Sequence, residues 1–211
     1  MCGRYTLTAT REIITENFFV NITPLYQARY NIAPSQPLLA IVSNEGNREA
    51  QFFRWGLIPS WVKDEKFTNK PINARSETVR EKPFFRSAFK YRRCLIPADG
   101  FYEWQSQGKG KRKQPYCIHL PNRDLFAFAG LWEDWQGIRT CAILTREADA
   151  QMKPIHHRMP IMVPRAQYDY WLDTSNHNPT IPHDSPGLQF DKVGIAVNDP
   201  SIDSPKCLVA S

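Results

Sequence analysis

The sequence has no C-x-x-C pair, no H-E-x-x-H and no second cluster of metal-type residues beside His156 and His157. That excludes the usual zinc frameworks, and neither a metal nor another cofactor is expected. Cysteine is scarce: Cys2, Cys94, Cys117, Cys141 and Cys207 are an odd, widely spaced set of five. Such usage argues against a disulfide framework and for a reducing compartment. Cys94, Cys117 and Cys141 sit in apolar, strand-like runs and are read as buried small hydrophobes. Residues 1–20 contain no apolar stretch suited to a signal peptide, and no run reaches transmembrane length. No membrane partner is therefore expected, and Cys2 is not read as a lipidation site. The expected location is cytoplasmic and nucleoid-associated in a bacterium or phage, or nuclear in a eukaryote. No Gly/Ser-rich or charge-block linker, repeat or low-complexity run divides the chain, so residues 1–211 are read as a single domain, expected to be monomeric.

What is present is enough for a real core: 42% of the 211 residues are hydrophobic and 12% aromatic. Seventeen prolines against ten glycines predict many rigid loops. The 27 Lys and Arg against 21 Asp and Glu give a net charge of +6. That excess serves solubility or nucleic-acid binding equally well.

Hydrophobic spacing predicts a short amphipathic helix over ATREIITENFFV, capped by a threonine and burying Ile14 and Phe18. PLLAIVS, NEGN and REAQFFRW read as strand, turn and strand. GLIPSWVKDEKFTNKPINARSET, residues 56–78, is too Pro-rich and polar for a regular element and reads as a long functional loop. EKPFFRSAFK fits a short helix with proline near its start. RRCLIPADGFYEWQ reads as a strand broken at Asp99-Gly100, and SQGKGKRK as a basic hairpin tip. QPYCIHL, LFAFAGLWE and IRTCAILT read as three strands, READAQMK as a short helix, MPIMV as a strand, PRAQYDYWLD as a helix and QFDKVGIAV as a last strand. Strands joined by short turns with scattered helices predict an α+β fold, its sheet mostly antiparallel or a partly closed β-barrel.

The opening MCGRYT places a cysteine at the second position. Once Met1 is removed, Cys2 carries a free α-amine beside a thiol, with ordinary pKa values of about 7.7–8.0 and about 8.5. Such an aminothiol condenses with an aldehyde to a Schiff base, and the thiolate then closes a five-membered thiazolidine. An internal cysteine cannot do this, because its nitrogen is an amide. The other chemistry open to it is acyl transfer, with the thiolate attacking a peptide carbonyl and the amine as base. Taken by position alone, Cys2 is an ordinary second residue.

Three further stretches accompany it: FRWGLIPSW with PINARSET, then CLIPADGFYEW, then IHHRMPIMV. With the opening, in that order, they closely resemble the SOS response-associated peptidase family, also described as abasic-site processing proteins. The resemblance runs over roughly residues 1–205. It implies a single α+β domain that binds single-stranded DNA and traps the ring-opened aldehyde of an abasic site as a thiazolidine. It also implies a proposed autopeptidase activity that removes Met1. The residues it assigns to chemistry are Cys2, Asn73, Glu103 and His156. Read on their own, Asn73 either anchors the Cys2 backbone or caps its own turn. Glu103, between Tyr102 and Trp104, is either a proton shuttle with a raised pKa or a solvent-facing strand residue. His156 either protonates the departing sugar oxygen or is structural. His157 departs from the family, where an aspartate is usual, and stays outside the catalytic set.

For DNA, Arg4, Arg75, Arg80 and Arg86 flank these motifs and are candidate phosphate contacts, each otherwise a solvated surface group. Trp61 is a candidate base-stacking or wedge residue, with Val62 making any wedge smaller than the family's usual pair of bulky residues. Pro34 begins a loop expected to line the groove, and Trp55 is expected in the core. GKGKRK reads first as a solvated turn and second as an auxiliary DNA contact. The leading expectation is covalent capture of abasic sites in single-stranded DNA, with lyase activity open at the Schiff-base stage. A cysteine peptidase with an N-terminal nucleophile and a non-covalent single-strand binding module are the alternatives.

Overall fold

The computed structural model describes residues 2–64, 67–183 and 187–210. Among them, thirteen strands and three α-helices follow in chain order. They are β1 (Tyr5–Leu7), α1 (Arg11–Phe18), β2 (Arg29–Ile32), β3 (Pro37–Asn44), β4 (Asn47–Trp55), β5 (Asn73–Arg75), α2 (Arg86–Tyr91), β6 (Arg93–Ala98), β7 (Gly100–Gln105), β8 (Gln114–His119), β9 (Phe126–Trp135), β10 (Ile138–Glu147), β11 (Arg158–Pro160), β12 (Met162–Val163), α3 (Tyr168–Leu172) and β13 (Gln189–Lys192). The structure is mostly β with few short helices; its sheets are mostly antiparallel and one is partly ring-like, in keeping with the α+β fold with a mostly antiparallel or partly closed sheet that the sequence predicts. No helix among the described residues is long and apolar enough to cross a membrane.

The larger sheet closes on itself. β10 pairs β4, β4 pairs β3, β3 pairs β6, β6 pairs β9, and β9 returns to β10. Where β9 and β10 part, β11 and β12 fill the gap: Ile161 donates its N–H to Leu144 and accepts from Ala129, both at 2.9 Å. The smaller sheet runs β13-β8-β7-β1-β2, all antiparallel. Between the sheets lies the main core, with Trp55 edge-on to Tyr5 at 5.6 Å and Phe128, Leu95 and Ile143 fully buried.

Local chemistry accounts for these elements. Thr10 caps α1 by accepting the Ile13 N–H, and Ile14 and Phe18 form its buried face. The β3–β4 hairpin turns at Glu45 and Gly46, both at positive φ, which matches the right-handed twist of the strands. Gly130 on β9 is the tightest spot in the ring: a Cβ there would lie 2.6 Å from Cys94 Sγ and 2.9 Å from Ile96 Cδ1. Gly130→Ala is expected to cost about 1–3 kcal/mol by overpacking. The cost in urea unfolding should shrink in a Gly130→Ala, Cys94→Ala double variant relative to the sum of the singles.

Four expectations need correction. READAQMK is not a helix: β10 continues to Glu147, and isolated turns follow. Asp149 takes the Met152 N–H on its side chain, and Pro154 blocks continuation. The loop over 56–78 contains β5, paired parallel to β10, while its residues 65 and 66 lie outside the described residues. The helix in EKPFFRSAFK starts only at Arg86, after a turn in which Lys82 O accepts from both Phe85 and Arg86. QFDKVGIAV is strand only to Lys192; Gly194 then leads into a 3-10 turn over Ile195–Asn198. β1 and β2, short and without alternation, escape the sequence reading.

Candidate functional site

Strand pairing brings the site together. β1 lies against β7 with Tyr5 opposite Phe101, and the ladder continues one step as Tyr102 donates to Arg4 O at 2.9 Å. The first residues of the chain thus run beside Glu103. β10 holds the rest. Its first half lies between β4 and β9, its second half between β5 and β11. Thr145 therefore has Arg75 on one side and Pro160 on the other. Asn73 begins β5, and His156 lies two residues before the start of β11.

The contacts are specific. Asn73 Nδ2 donates to the Cys2 carbonyl at 3.0 Å, while its Oδ1 is buried with no hydrogen-bond partner among the described residues. His156 Nδ1 stands 4.0 Å from Glu103 Oε1 and accepts the Arg158 N–H at 3.0 Å. Nδ1 also stands 3.1 Å from the Arg158 carbonyl, so either tautomer of the neutral ring finds a main-chain partner there. Cys2, Asn73, Glu103 and His156 thus converge on one spot.

Glu103 is 3% exposed. Its aromatic neighbours are not the cause. Tyr102 and Trp104 point to the opposite face of β7, where Tyr102 donates to Tyr30 O at 2.8 Å and Trp104 to Asn198 Oδ1 at 2.7 Å. Burial pushes the Glu103 carboxyl above the usual carboxylate range. Burial also raises the Cys2 thiol far above its ordinary value, and the nearby Glu103 carboxylate adds to this. The His156 ring is lowered by burial, with the Lys113 and Arg158 charges adding to it. The exposed His157 stacks on it at 4.4 Å and is lowered chiefly by His156. The site therefore shifts Glu103 towards its protonated form and His156 towards its neutral ring. Among the described residues, no group of three or more His, Cys, Asp or Glu side chains is placed to hold a metal ion.

The candidate DNA residues are placed less uniformly. Arg75, at the end of β5, and Arg86, at the start of α2, are exposed. Arg4 is half-buried and donates to Asn31 Oδ1 at 2.9 Å and Val197 O at 2.7 Å, strapping the C-terminal segment to β1 and β2. Arg80 donates to Asn178 and to Pro179 O, and lies 4.8 Å over the Phe89 ring. Trp61 is 61% exposed and edge-on to Phe84 at 6.2 Å. Val62 is not a smaller wedge beside it. It is buried against Ile58 and Trp135, and its carbonyl accepts the Trp135 Nε1–H at 2.7 Å, which anchors the loop. Pro34 is exposed beside Ser35, which has a positive φ.

Two residues of the site escape the sequence reading. Arg158 is 6% exposed and forks onto Glu77 at 2.6 and 3.0 Å, with a further bond to Thr145 O at 2.7 Å. The fork ties the Asn73 segment to the His156 segment, and Arg158 holds the Glu77 carboxyl below the usual range. The signal available was opposite charge a few residues beyond each motif: Glu77 in NARSET and Arg158 in HHRMP.

A closed β ring in which the segment before β1 brings a cysteine to a carboxamide, close to a carboxyl that an imidazole flanks, defines a small β-rich protein with a cysteine-centred site. Within that class the assignment is specific. Residues 1–200 match the family described as SOS response associated peptidase (SRAP), and the chain belongs to it. It is 42% identical to the abasic site processing protein YoaM of Bacillus subtilis (strain 168) over 224 residues, covering 100% of this chain and 98% of that protein. It is 30% identical to the abasic site processing protein HMCES of Gallus gallus over 226 residues, covering 87% of this chain and 66% of that protein. Among solved structures, a Bacteroides thetaiotaomicron protein superposes with a TM-score of 0.83 over 100% of both chains, with 23% identity, a likeness of fold alone. A Bordetella bronchiseptica protein superposes with a TM-score of 0.76 and 26% identity, over 92% of this chain and 100% of that one.

Proposed function

We propose that this protein recognises abasic sites in single-stranded DNA and captures them covalently through Cys2 once Met1 is removed. The observation that carries this reading is the convergence of Asn73, Glu103 and His156 on Cys2, in a chain whose relatives are named abasic site processing proteins.

The chemistry is a condensation. The ring-opened abasic sugar presents an aldehyde; in the opening, neutral His156 takes the anomeric hydroxyl proton and the resulting imidazolium gives it to the departing ring oxygen, so no net proton is consumed. The Cys2 amine adds to the aldehyde carbon, and the protonated Glu103 gives its proton to the hydroxyl that leaves as water. The thiol then adds to the imine carbon and its proton returns to Glu103, closing the thiazolidine. The net change is aldehyde plus aminothiol to ring plus one water. Asn73 holds the Cys2 carbonyl, so the residue stays in place while its nitrogen and sulfur react. Arg75, Arg86 and Trp61 offer exposed groups to the strand, whereas the guanidiniums of Arg4 and Arg80 already serve protein acceptors.

In this chain Cys2 is fully buried and its nitrogen is the Met1 amide, while Met1 itself lies outside the described residues. The reading requires that this change on maturation. All five cysteines are free and buried, so chain retaining Met1 should show no fast-reacting thiol towards a colorimetric disulfide reagent. Chain beginning at Cys2 should show one. A mature protein whose Cys2 stays unreactive would remove the basis for capture.

The test is direct. Purified protein, its N-terminus defined by intact mass, is incubated with single-stranded DNA carrying one abasic site and resolved on a denaturing gel. A covalent band from Cys2-started protein, and none from Met1-capped protein, is expected. Salt-sensitive binding without any covalent product would favour a non-covalent single-strand module instead.

The family description favours a second reading, peptidase chemistry at the same thiol. Its natural substrate is the Met1–Cys2 amide, attacked by the Cys2 sulfur and then hydrolysed. Methionine release by purified Met1-retaining protein, with no aminopeptidase present, tests it.

A further inference from the structure

The hairpin between β7 and β8 carries charge that the capture chemistry leaves unused. No Asp or Glu occurs between Glu103 and Asp124, and Lys109, Lys111, Arg112 and Lys113 crowd into five positions of that stretch. All four are exposed, and among the described residues none has a carboxylate partner. Gly108 and Gly110 turn the tip with φ of +106° and +79°, with nothing within 4 Å of a Cβ at either place. Four like charges on an open tip repel one another unless an anion comes between them.

The hairpin is also aimed. Gln105 Nε2 donates to Pro154 O at 3.1 Å, and Tyr116 braces Gln105 from the facing strand at 3.3 Å. Pro154 lies two residues before His156, and Glu103 two residues before Gln105. The hairpin root is therefore fastened to both sides of the reactive spot, and the Lys113 charge is felt at His156. At about 3.3 Å per strand residue, the tip reaches up to about 20 Å from Glu103. That is beyond the reach of a single nucleotide held at Cys2.

We infer that this tip is a phosphate clamp, with Lys109, Lys111 and Arg112 gripping the backbone of single-stranded DNA several nucleotides away from the one held at Cys2. The identity of the strand rests on the capture reading above. Lysines on a glycine-rich tip act as point charges and read no base, which suits a protein that must accept any sequence.

The test compares wild type with the triple variant Lys109→Gln, Lys111→Gln, Arg112→Gln in the full chain, leaving Lys113 intact beside His156. Fluorescence anisotropy is read across a salt series with undamaged single strands of about 5 and about 20 nucleotides. On the longer strand the slope of log affinity against log salt should become shallower by about 2, since each phosphate contact on a single strand contributes about 0.7. Affinity at low salt should fall about tenfold or more. The short strand should bind both proteins alike. An unchanged slope on the longer strand, or equal losses on both lengths, would overturn the clamp. Adduct formation at saturating abasic DNA is scored in parallel. If wild type forms none, the capture reading fails while the salt slope still decides the clamp.

Discussion

Cys2→Ala should leave no stable adduct on abasic single-stranded DNA, while a borohydride-trapped imine persists. The variant keeps a free α-amine after Met1 removal, so the carbonyl can still condense. What it loses is the sulfur that closes the ring. A tethered nucleophile acts at an effective concentration of about 10⁵ M or more, so no thiol in solution replaces it. The open imine permits β-elimination, so strand cleavage should rise as the adduct disappears. Cys2→Ser should give a weaker product, because the oxygen analogue of the ring is less stable. Denaturing gels with and without borohydride separate these outcomes. Full crosslinking by Cys2→Ala without reductant would assign the bond to another residue.

The second large effect concerns stability. Arg93 is 1% exposed, and its guanidinium serves five main-chain carbonyls: Phe89, Lys90, Trp171, Asp173 and Asn176. These lie in and just beyond the last turns of α2 and α3, where helical carbonyls lack N–H partners and carry partial negative charge. One cation thus closes two helices onto the start of β6. Arg93→Met should keep the volume but strand those acceptors, at a cost of about 3–5 kcal/mol. In urea that is a midpoint shift of about 2 M. Arg93→Lys should recover only part of the loss, since three rotating N–H groups cannot serve five carbonyls. A midpoint within about 0.5 M of wild type for Arg93→Met would show that the carbonyls find other donors.

Much of this architecture was legible because local chemistry dictates it. Thr10 before Ile14 and Phe18 marks α1, NEGN marks the β3–β4 turn, and Asp99-Gly100 marks the break between β6 and β7. Asp99 binds Thr6 and Thr8 across the chain, and a Cβ on Gly100 would press on Thr6 and Cys117. Four motifs named Cys2, Asn73, Glu103 and His156, and the fold brings them into one place. What was not legible depends on partners far away in sequence. β1, β2 and β5 are three or four residues long and owe their form to the strands they pair. Alternation could not say whether Glu103 was buried, because its cover comes from outside its own strand. The engagement of Arg4 and the Arg158–Glu77 fork needed contacts spanning 193 and 81 residues. READAQMK misleads for the opposite reason. Its helical composition is real, but an aspartate side chain and a proline outvote it.

Closure of the five-strand ring also governs how the protein meets other copies of itself. A strand with unpaired main-chain groups is a template for intermolecular recruitment, and the ring closes β4 against β10 only at Arg54 and Trp55, which leaves the outer edge of β4 before them without a strand partner among the described residues. The smaller sheet ends in β13 and β2, each four residues long, and Asp203 occupies the Tyr30 and Asn31 N–H groups of β2. In a protein this dense in β structure, closure thus confines intermolecular strand pairing to those short edges and to the first part of β4.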